Sequence, residues 1–270
     1  MHGVAPRTNK ERFMDESLID VEVADALLGG RQAVYALMAR LWADPLDEAA
    51  AAVVSSSEWP AVLEMFDGMA GSDGEKGIEA VGDAQVRQLS LVGRWREIAA
   101  AVERLGVEGC RRAFNWCFMG IGTRVAPWES VYAASERLVM QPSTLEVREA
   151  YAAAGFAARN KGSEPDDHVA TECDFMAKLA ERAASAYREG DIDACGLALS
   201  QSRSFLRGHL IPHAPAFAQA FEEAAACAGA HDEGCAADAM CLYGSLARFG
   251  EAFLPIDRDV VDRLHATVLS

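Results

Sequence analysis

Apolar residues recur every three or four positions along most of this chain, which is the spacing of one face of an α-helix. No stretch alternates apolar and polar residues as a half-buried strand does. The pattern therefore predicts an all-α protein. The predicted helices cover residues 22–43, 58–69, 84–105, 107–119, 129–140, 143–158, 166–189, 191–210, 213–229, 235–253 and 257–268.

Three stretches rich in glycine, proline and polar residues interrupt this pattern. They are "GMAGSDGEKG" at 68–77, "FMGIGTRVAPWES" at 118–130 and "ARNKGSEPDD" at 158–167. The third stretch separates two helical halves and is the best candidate for a hinge. A chain of 270 residues suits one large domain or two closely packed subdomains.

The corresponding domain prediction has four parts. A flexible N-terminal tail covers 1–20, and an N-terminal helical subdomain covers 21–157. The hinge covers 158–167, and a C-terminal helical subdomain covers 168–270.

Composition and charge narrow the possible functions. The chain is 51% hydrophobic and 24% charged, which is typical of a globular protein. Its formal charge of −16 and pI of about 4.8 argue against binding to nucleic-acid phosphates. An acidic surface suits a cationic partner, although many acidic surfaces have no partner at all.

The cysteines and the N-terminus indicate the compartment. Seven cysteines without a CxxC pair fall mostly on apolar helical stripes, where a free thiol behaves as a small hydrophobe. This usage fits a reducing cytosol. The N-terminus lacks the apolar core of a signal peptide, and no apolar run approaches 18 residues. We therefore expect a cytoplasmic protein without stable membrane insertion.

The sequence carries no recognisable catalytic or metal-binding motif. "GIGTRV" at 120–125 lacks the GK[ST] of a phosphate-binding loop. His209 and His213 are four residues apart, but Pro212 lies between them and no third ligand is evident. We expect no enzyme activity, no cofactor and no metal.

The segment "EPDDHVATECDFMAKLAERAA" at 164–184 begins with acids, a proline and a histidine. Ser163 and Asp166 fit a capping box, and Pro165 suits a first helical turn. His168 lies at the border of the buried stripe. In the simplest interpretation it pairs with Glu172, four residues further on.

Three stretches in order carry a family resemblance. They are "APWESVYAASERLVMQPSTLEVREAYAAAGF" at 126–156, "EPDDHVATECDFMAKLA" at 164–180 and "SRSFLRGHLIPHAPAFAQAF" at 202–221. Pro-Trp followed by Ser-Val-aromatic, then E-P-x-D-H, then F-L-x-x-H-L, resembles the TorD/DmsD family of cytoplasmic molybdoenzyme maturation chaperones. The resemblance covers roughly 114–221.

The resemblance implies an all-helical fold of two subdomains joined by the hinge. It also implies a chaperone that binds the twin-arginine signal peptide and the apo form of a molybdoenzyme subunit, aids cofactor insertion and delays export. Such a peptide has a basic n-region followed by an apolar h-region. Binding it requires an apolar, aromatic groove with carboxylates at one end.

The family's peptide-binding positions fall on Pro127, Trp128, Ser130, Tyr132, Pro165, Asp167 and His168. Phe114 and Phe118 are candidates to line the groove, and Glu164, Asp166 and Asp167 are candidates for its acidic end. For Trp128 and Tyr132 a role in the core is the alternative. His209 and Leu210 match the third motif and are expected to pack.

Two departures from the family pattern leave the cargo open. Ala133 and Ala134 stand where the family often has Leu-Asp, and His213 stands near a frequent tryptophan. Two other functions also remain open: a helical scaffold that binds a mature enzyme subunit, and a nucleotide-dependent regulator. The resemblance is compatible with a monomer or a domain-swapped dimer.

Overall fold

A computed structural model describes residues 19–70, 90–119, 123–133, 138–158 and 164–269. Within these ranges the regular structure is helical, apart from one isolated β-bridge between Trp128 and His168. The predicted all-α class is confirmed. The helices are α1 Val21–Ala43, α2 Glu48–Val54, α3 Trp59–Asp67, α4 Leu91–Phe118, α5 Ser130–Ala133, α6 Pro142–Ala153, α7 Val169–Glu189, α8 Ile192–Phe205, α9 Ile211–Ala226, α10 Glu233–Ala239 and α11 Ser245–Val268.

Glycine marks the break that the sequence predicts near 106. Helix α4 runs through this position, but Gly106 has φ 61° and ψ 174°, so the helix is kinked there. Glycine adopts a positive φ without steric cost. The part of the predicted helix 84–105 before residue 90 lies outside the described residues.

Two predicted helix breaks at prolines are wrong. The chain stays helical from Ile192 to Ala226 because a π-helical turn, Leu206–Leu210, directly precedes Pro212 in the first turn of α9. A wider turn is a usual way for a helix to absorb a proline or an inserted residue. Helix α11 likewise continues through Pro255, after a second π-helical turn at Met240–Gly244.

The predicted helix 129–140 is wrong at its C-terminal end. Helix α5 ends at Ala133, and residues 138–141 are not helical; residues 134–137 lie outside the described ranges. Met140 has φ 62°, and Gln141 is extended, as a residue before proline prefers to be. Helix α2, which the sequence did not predict, begins after Asp47, whose carboxylate accepts a hydrogen bond from the Ala50 N–H.

Helices from both sides of the predicted hinge share one contiguous core. Helix α1 packs along α7 more extensively than any other pair of described helices. Buried residues from Ala24 to Val268 form a single cluster. The division into two subdomains with a hinge at 158–167 stays a prediction. No helix in the described ranges has the length and apolarity needed to cross a membrane.

Candidate functional site

Two of the family-like motifs meet at a junction between residues 126–132 and 164–168. The Val169 N–H donates to the Pro127 carbonyl oxygen at 2.8 Å, and the Glu129 N–H donates to the Asp167 carbonyl oxygen at 2.9 Å. These bonds form the bridge between Trp128 and His168. The first two motifs are therefore neighbours in space.

The acids of "EPDDH" hold this junction together. Asp167 is fully buried, and its Oδ2 accepts a hydrogen bond from the Ser130 N–H at 2.7 Å, at the start of α5. Asp166 is also buried, and its Oδ2 accepts from Arg148 Nε at 2.6 Å. Both carboxylates thus have partners within the protein.

The helix that follows begins later than the sequence predicts. Helix α7 begins at Val169, and its cap is His168, whose Nδ1 accepts from the Ala170 N–H at 3.1 Å. The predicted start at 166 is wrong because Asp166 and Asp167 bind Arg148 and Ser130 instead. Ser163, the proposed partner in a capping box, lies outside the described residues.

His168 does not form the predicted pair with Glu172. Its Nε2 lies 3.7 Å from the Glu164 carboxylate, while Nδ1 caps α7. The ring stands edge-on to Trp128 with centroids 6.1 Å apart. Burial lowers the pKa of His168, and the charges of Glu164 and Asp167 oppose that shift only in part.

The predicted aromatic residues divide between the site and the core. Tyr132 is half-buried; its hydroxyl donates to the Ala126 carbonyl oxygen at 2.7 Å, and its ring lies 5.9 Å from that of Phe217. Phe114 is buried in the core, where its ring contacts Phe118 and Tyr243. Phe118 contacts Trp42, so it supports the site from behind.

A small cavity of about 50 Å³ opens beside Pro127, Trp128 and Tyr132. Its walls are mainly apolar and aromatic, with Trp42 and Phe217 on the side of the core. Five acidic or basic side chains from four separate segments also line it: Glu129, Glu172, His209, His213 and Glu251. Of these, Glu251 pairs with Arg248 at 2.7 Å.

Glu129 is the centre of the ionisable groups in the cavity. Its Oε2 lies 3.1 Å from His209 Nδ1, and its Oε1 lies 3.4 Å from His213 Nε2. Burial opposes ionisation of Glu129, but the hydrogen bonds and charges of the two histidines outweigh it and lower the pKa of Glu129 to about 2. Glu129 is therefore an anion.

The environment of Glu172 raises its pKa, whereas that of Glu129 lowers it. Glu172 is buried on α7, and burial together with the charges of Glu129 and Asp167 raises its pKa well above the ordinary value. Its carboxyl group is hydrogen-bonded to that of Glu129, while its Oε1 has no partner among the described residues. Such a group holds a proton until a cation arrives.

A larger groove of about 470 Å³ lies on the other side of the α1–α7 pair and includes the predicted residues Glu164 and Pro165. Its walls are mostly alanine and aromatic side chains. Its two cations already have partners, because Lys178 pairs with Asp174 and Arg40 pairs with Asp47.

Sequence reasoning missed Glu129, Glu172 and the role of the two histidines. Glu129 stood inside the family-like "PWES" stretch but carried no assignment of its own. Glu172 was placed beside the buried stripe of its helix, which was the available signal. His209 was expected only to pack. No group of three or more His, Cys, Asp or Glu in the described part of the chain is placed to hold a metal ion.

The described part of the chain is all-α, and two of the family-like motifs meet in it beside a small cavity lined by acidic residues. Comparison with known proteins supports the resemblance that these motifs carry. The family model "Nitrate reductase delta subunit" matches residues 88–219. The Chaperone protein TorD of Vibrio cholerae serotype O1 (strain M66-2) is 31% identical over 138 residues, which cover 51% of this chain and 55% of that protein. TorD from strain ATCC 39541 of the same serotype is 30% identical over the same share.

Over the matched region, the chain resembles the TorD family of chaperones. It spans about half the length of the curated relatives that it matches. The resemblance drawn from the three motifs is confirmed at the level of the family.

Proposed function

We propose that this protein is a cytoplasmic assembly chaperone for a molybdoenzyme. It binds the twin-arginine signal peptide and the apo form of the precursor, aids cofactor insertion and delays export until the cofactor is in place. Its role is binding and timing rather than catalysis.

The observation that carries the proposal is the junction with its cavity. Residues that resemble the family's peptide-binding positions, Pro127, Trp128 and Tyr132, line a cavity that also contains Glu129 and Glu172. A signal peptide combines a basic n-region with an apolar h-region, so it requires both acidic and aromatic surface. The junction supplies both within one small volume.

Charge favours the cavity over the larger groove as the place for the basic end of the peptide. In the groove, Lys178 and Arg40 already have carboxylate partners. In the cavity, Glu129 and Glu172 lie near the buried Asp167, and no lysine or arginine in the described ranges pairs with any of the three. The groove, with its alanine and aromatic walls, suits apolar segments of the precursor.

Calorimetry with a purified precursor peptide tests the proposal. The ligand is the twin-arginine signal peptide of a molybdoenzyme from the same genome, and a twin-lysine peptide is the control. We expect binding in the micromolar range, equivalent to about −8 kcal/mol, and weaker binding of the lysine peptide.

The mature enzyme subunit without its signal peptide is the second ligand in the same experiment. If it binds and the signal peptide produces no heat, the protein is a scaffold for the mature subunit and the proposal is wrong. Binding of the signal peptide with a preference for arginine supports the proposal.

A further inference from the structure

Glu129, Asp167 and Glu172 form a buried group of carboxylates that lacks a permanent cation within the described ranges. All three are less than a tenth exposed, and the charges of Glu129 and Asp167 both act on Glu172. Their basic neighbours are histidines, which carry a charge only when protonated. Buried carboxylates normally have a cationic partner.

Two carboxyl oxygens in this group, Asp167 Oδ1 and Glu172 Oε1, are buried and lack a hydrogen-bond partner among the described residues. Of the two residues, only Glu172 lines the cavity. Buried polar atoms without a partner are rare in folded proteins and call for an explanation such as a missing ion or ligand. The orphan acceptor on Glu172 indicates that the cavity receives a donor.

The volume of the cavity and its lining residues limit which hydrogen-bond donor group it can hold. At roughly 10–15 Å³ for each water-sized group, about 50 Å³ accommodates about three to five non-hydrogen atoms. A guanidinium head has one carbon and three nitrogens in a plane. It pairs with carboxylates through two parallel hydrogen bonds and stacks on aromatic rings such as Trp128 and Tyr132.

His209 and His213 also contribute to the cavity through their contacts with Glu129. His209 and His213 contact Glu129 and are partly exposed, with 12% and 19% of their side chains accessible. The nitrogens that face Glu129 donate to its carboxylate, so the two histidines hold that carboxylate in position at the outer side of the cavity.

We propose that this cavity is a subsite for one arginine side chain, whose guanidinium pairs with Glu129 and Glu172 beside Trp128. The inference rests on the proposed function, because the arginine is assigned to the basic n-region of the bound precursor. It goes beyond that function by naming the residues that select arginine over lysine.

The first experiment uses a small probe and does not depend on any peptide. Methylguanidinium chloride is titrated into the full chain at constant ionic strength, and NMR follows the Trp128 indole and the rings of His209 and His213. Methylammonium is the control, since it carries the charge without the planar fork.

We expect methylguanidinium to shift these resonances at concentrations at least about fivefold lower than methylammonium. The effect is lost in Glu129→Gln and in Glu172→Gln, and it is kept in Glu146→Gln, which removes an equal charge from the exposed surface of α6. An absence of shifts, or equal shifts in all variants, would overturn the proposal. Using two cavity variants keeps the result informative if one of them fails to fold.

The second experiment assigns the arginine to the precursor. Each arginine of the signal peptide is replaced in turn by citrulline, which keeps the shape and removes the charge. The peptides are tested against the parent and Glu129→Gln in a double-mutant cycle. We expect at least tenfold coupling for one arginine and less than twofold for the other.

The outcomes of the two experiments are distinguishable. A parent that binds the peptide without coupling of either arginine to Glu129 refutes the subsite but leaves the proposed function standing. A parent that binds methylguanidinium but not the signal peptide refutes the proposed function and the n-region as the source of the arginine.

Discussion

Two buried clusters of charged residues in this protein differ in whether their carboxylates pair with a permanent cation. In the first, Asp257 on α11 accepts from Arg31 Nε at 2.6 Å, from Arg31 Nη2 at 3.1 Å and from the Tyr35 hydroxyl at 2.7 Å. All three residues are completely buried. The second is the group around Glu129 and Glu172, where carboxylates outnumber permanent cations within the described ranges.

The difference separates a structural cluster from a binding cluster. The Arg31 guanidinium matches its carboxylate in charge and geometry, so the cluster ties α1 to α11 and has little capacity for a ligand. The cavity cluster contains a raised carboxyl pKa, and no lysine or arginine in the described ranges pairs with Glu129 or Glu172. Because removing one partner of a buried ion pair is costly, the two clusters should respond very differently to neutralisation.

The largest expected effect on stability belongs to the cluster of Arg31, Tyr35 and Asp257, which we call the matched cluster. Asp257→Asn leaves the Arg31 charge buried without its counter-ion and is expected to destabilise the fold by about 3–5 kcal/mol. Urea unfolding of parent and variant measures this difference. Asp262→Asn on the same helix is the control, since its pairs with Arg203 and Arg207 are partly exposed and are worth about 1 kcal/mol or less. A loss for Asp257→Asn no larger than that of the control would contradict the structural role of the matched cluster.

Trp128 provides the next test, on the side of the cavity. Trp128 is only partly buried and lines the cavity, so Trp128→Ala is expected to weaken binding of the signal peptide by about 1–3 kcal/mol. Trp95→Ala, which removes a buried ring of the core, should instead cost about 3–5 kcal/mol of stability. Thermal melting beside binding isotherms distinguishes the two roles. Trp128 would be a core residue if its variant lost stability like Trp95→Ala.

Neutralising Glu172 in the cavity should increase the free energy of unfolding, whereas neutralising Asp257 in the matched cluster should decrease it. The folded-state pKa of Glu172 is raised, so the folded protein binds more protons and this residue costs stability as pH rises above the ordinary carboxyl range. Glu172→Gln cannot ionise and is expected to gain about 1 kcal/mol at neutral pH, with no gain near pH 4. Unfolding curves across this range check the result; a variant less stable than the parent at pH 7 would contradict it.

Glu129 has the opposite pH dependence to Glu172. Its folded-state pKa is lowered to about 2, so its contribution to stability is present above the ordinary value of 4.5 and is lost as pH falls towards 2. The pH dependence due to Glu129 therefore lies below 4.5, and that due to Glu172 lies above it. Because Glu129 is hydrogen-bonded to Glu172, the unfolding curves of Glu172→Gln report the two carboxyl groups as a pair.

The smallest expected effect is at Asp167. Its carboxylate accepts from the Ser130 N–H, and the amide oxygen of asparagine accepts equally well at such a position. Asp167→Asn should therefore change stability by less than about 1 kcal/mol. It should also weaken binding of the signal peptide less than Glu129→Gln does. Melting and calorimetry of both variants decide this; a larger loss of affinity at Asp167 would move the cation site from Glu129 to the "EPDDH" segment.

The sequence predicted the helical class and most of the helices because the spacing of apolar residues is a local property of the chain. It misjudged Pro212, which follows a π-helical turn, and Pro255, through which α11 continues within the packed core. Such compensation depends on neighbours that a local pattern does not contain.

The motifs predicted the neighbourhood of the site, but they did not predict which carboxylates lie in the cavity. Asp166 and Asp167 were candidates for the acidic end of the groove, and both are buried with partners. Glu129 and Glu172 are 43 residues apart, and they meet only because the junction brings the loop at 126–132 against the first turn of α7. Contacts over such a separation have no local signal.

Proton release on binding of the signal peptide tests the cation site most directly. An arginine beside Glu172 favours its carboxylate form, lowers its pKa and releases the proton to the buffer. Calorimetry of the parent and Glu172→Gln in two buffers with different ionisation enthalpies measures this release. We expect the parent to release protons near pH 6 and the variant to release clearly fewer. Equal release by both proteins, or none by the parent while the peptide binds, would contradict the assignment of the cavity to arginine.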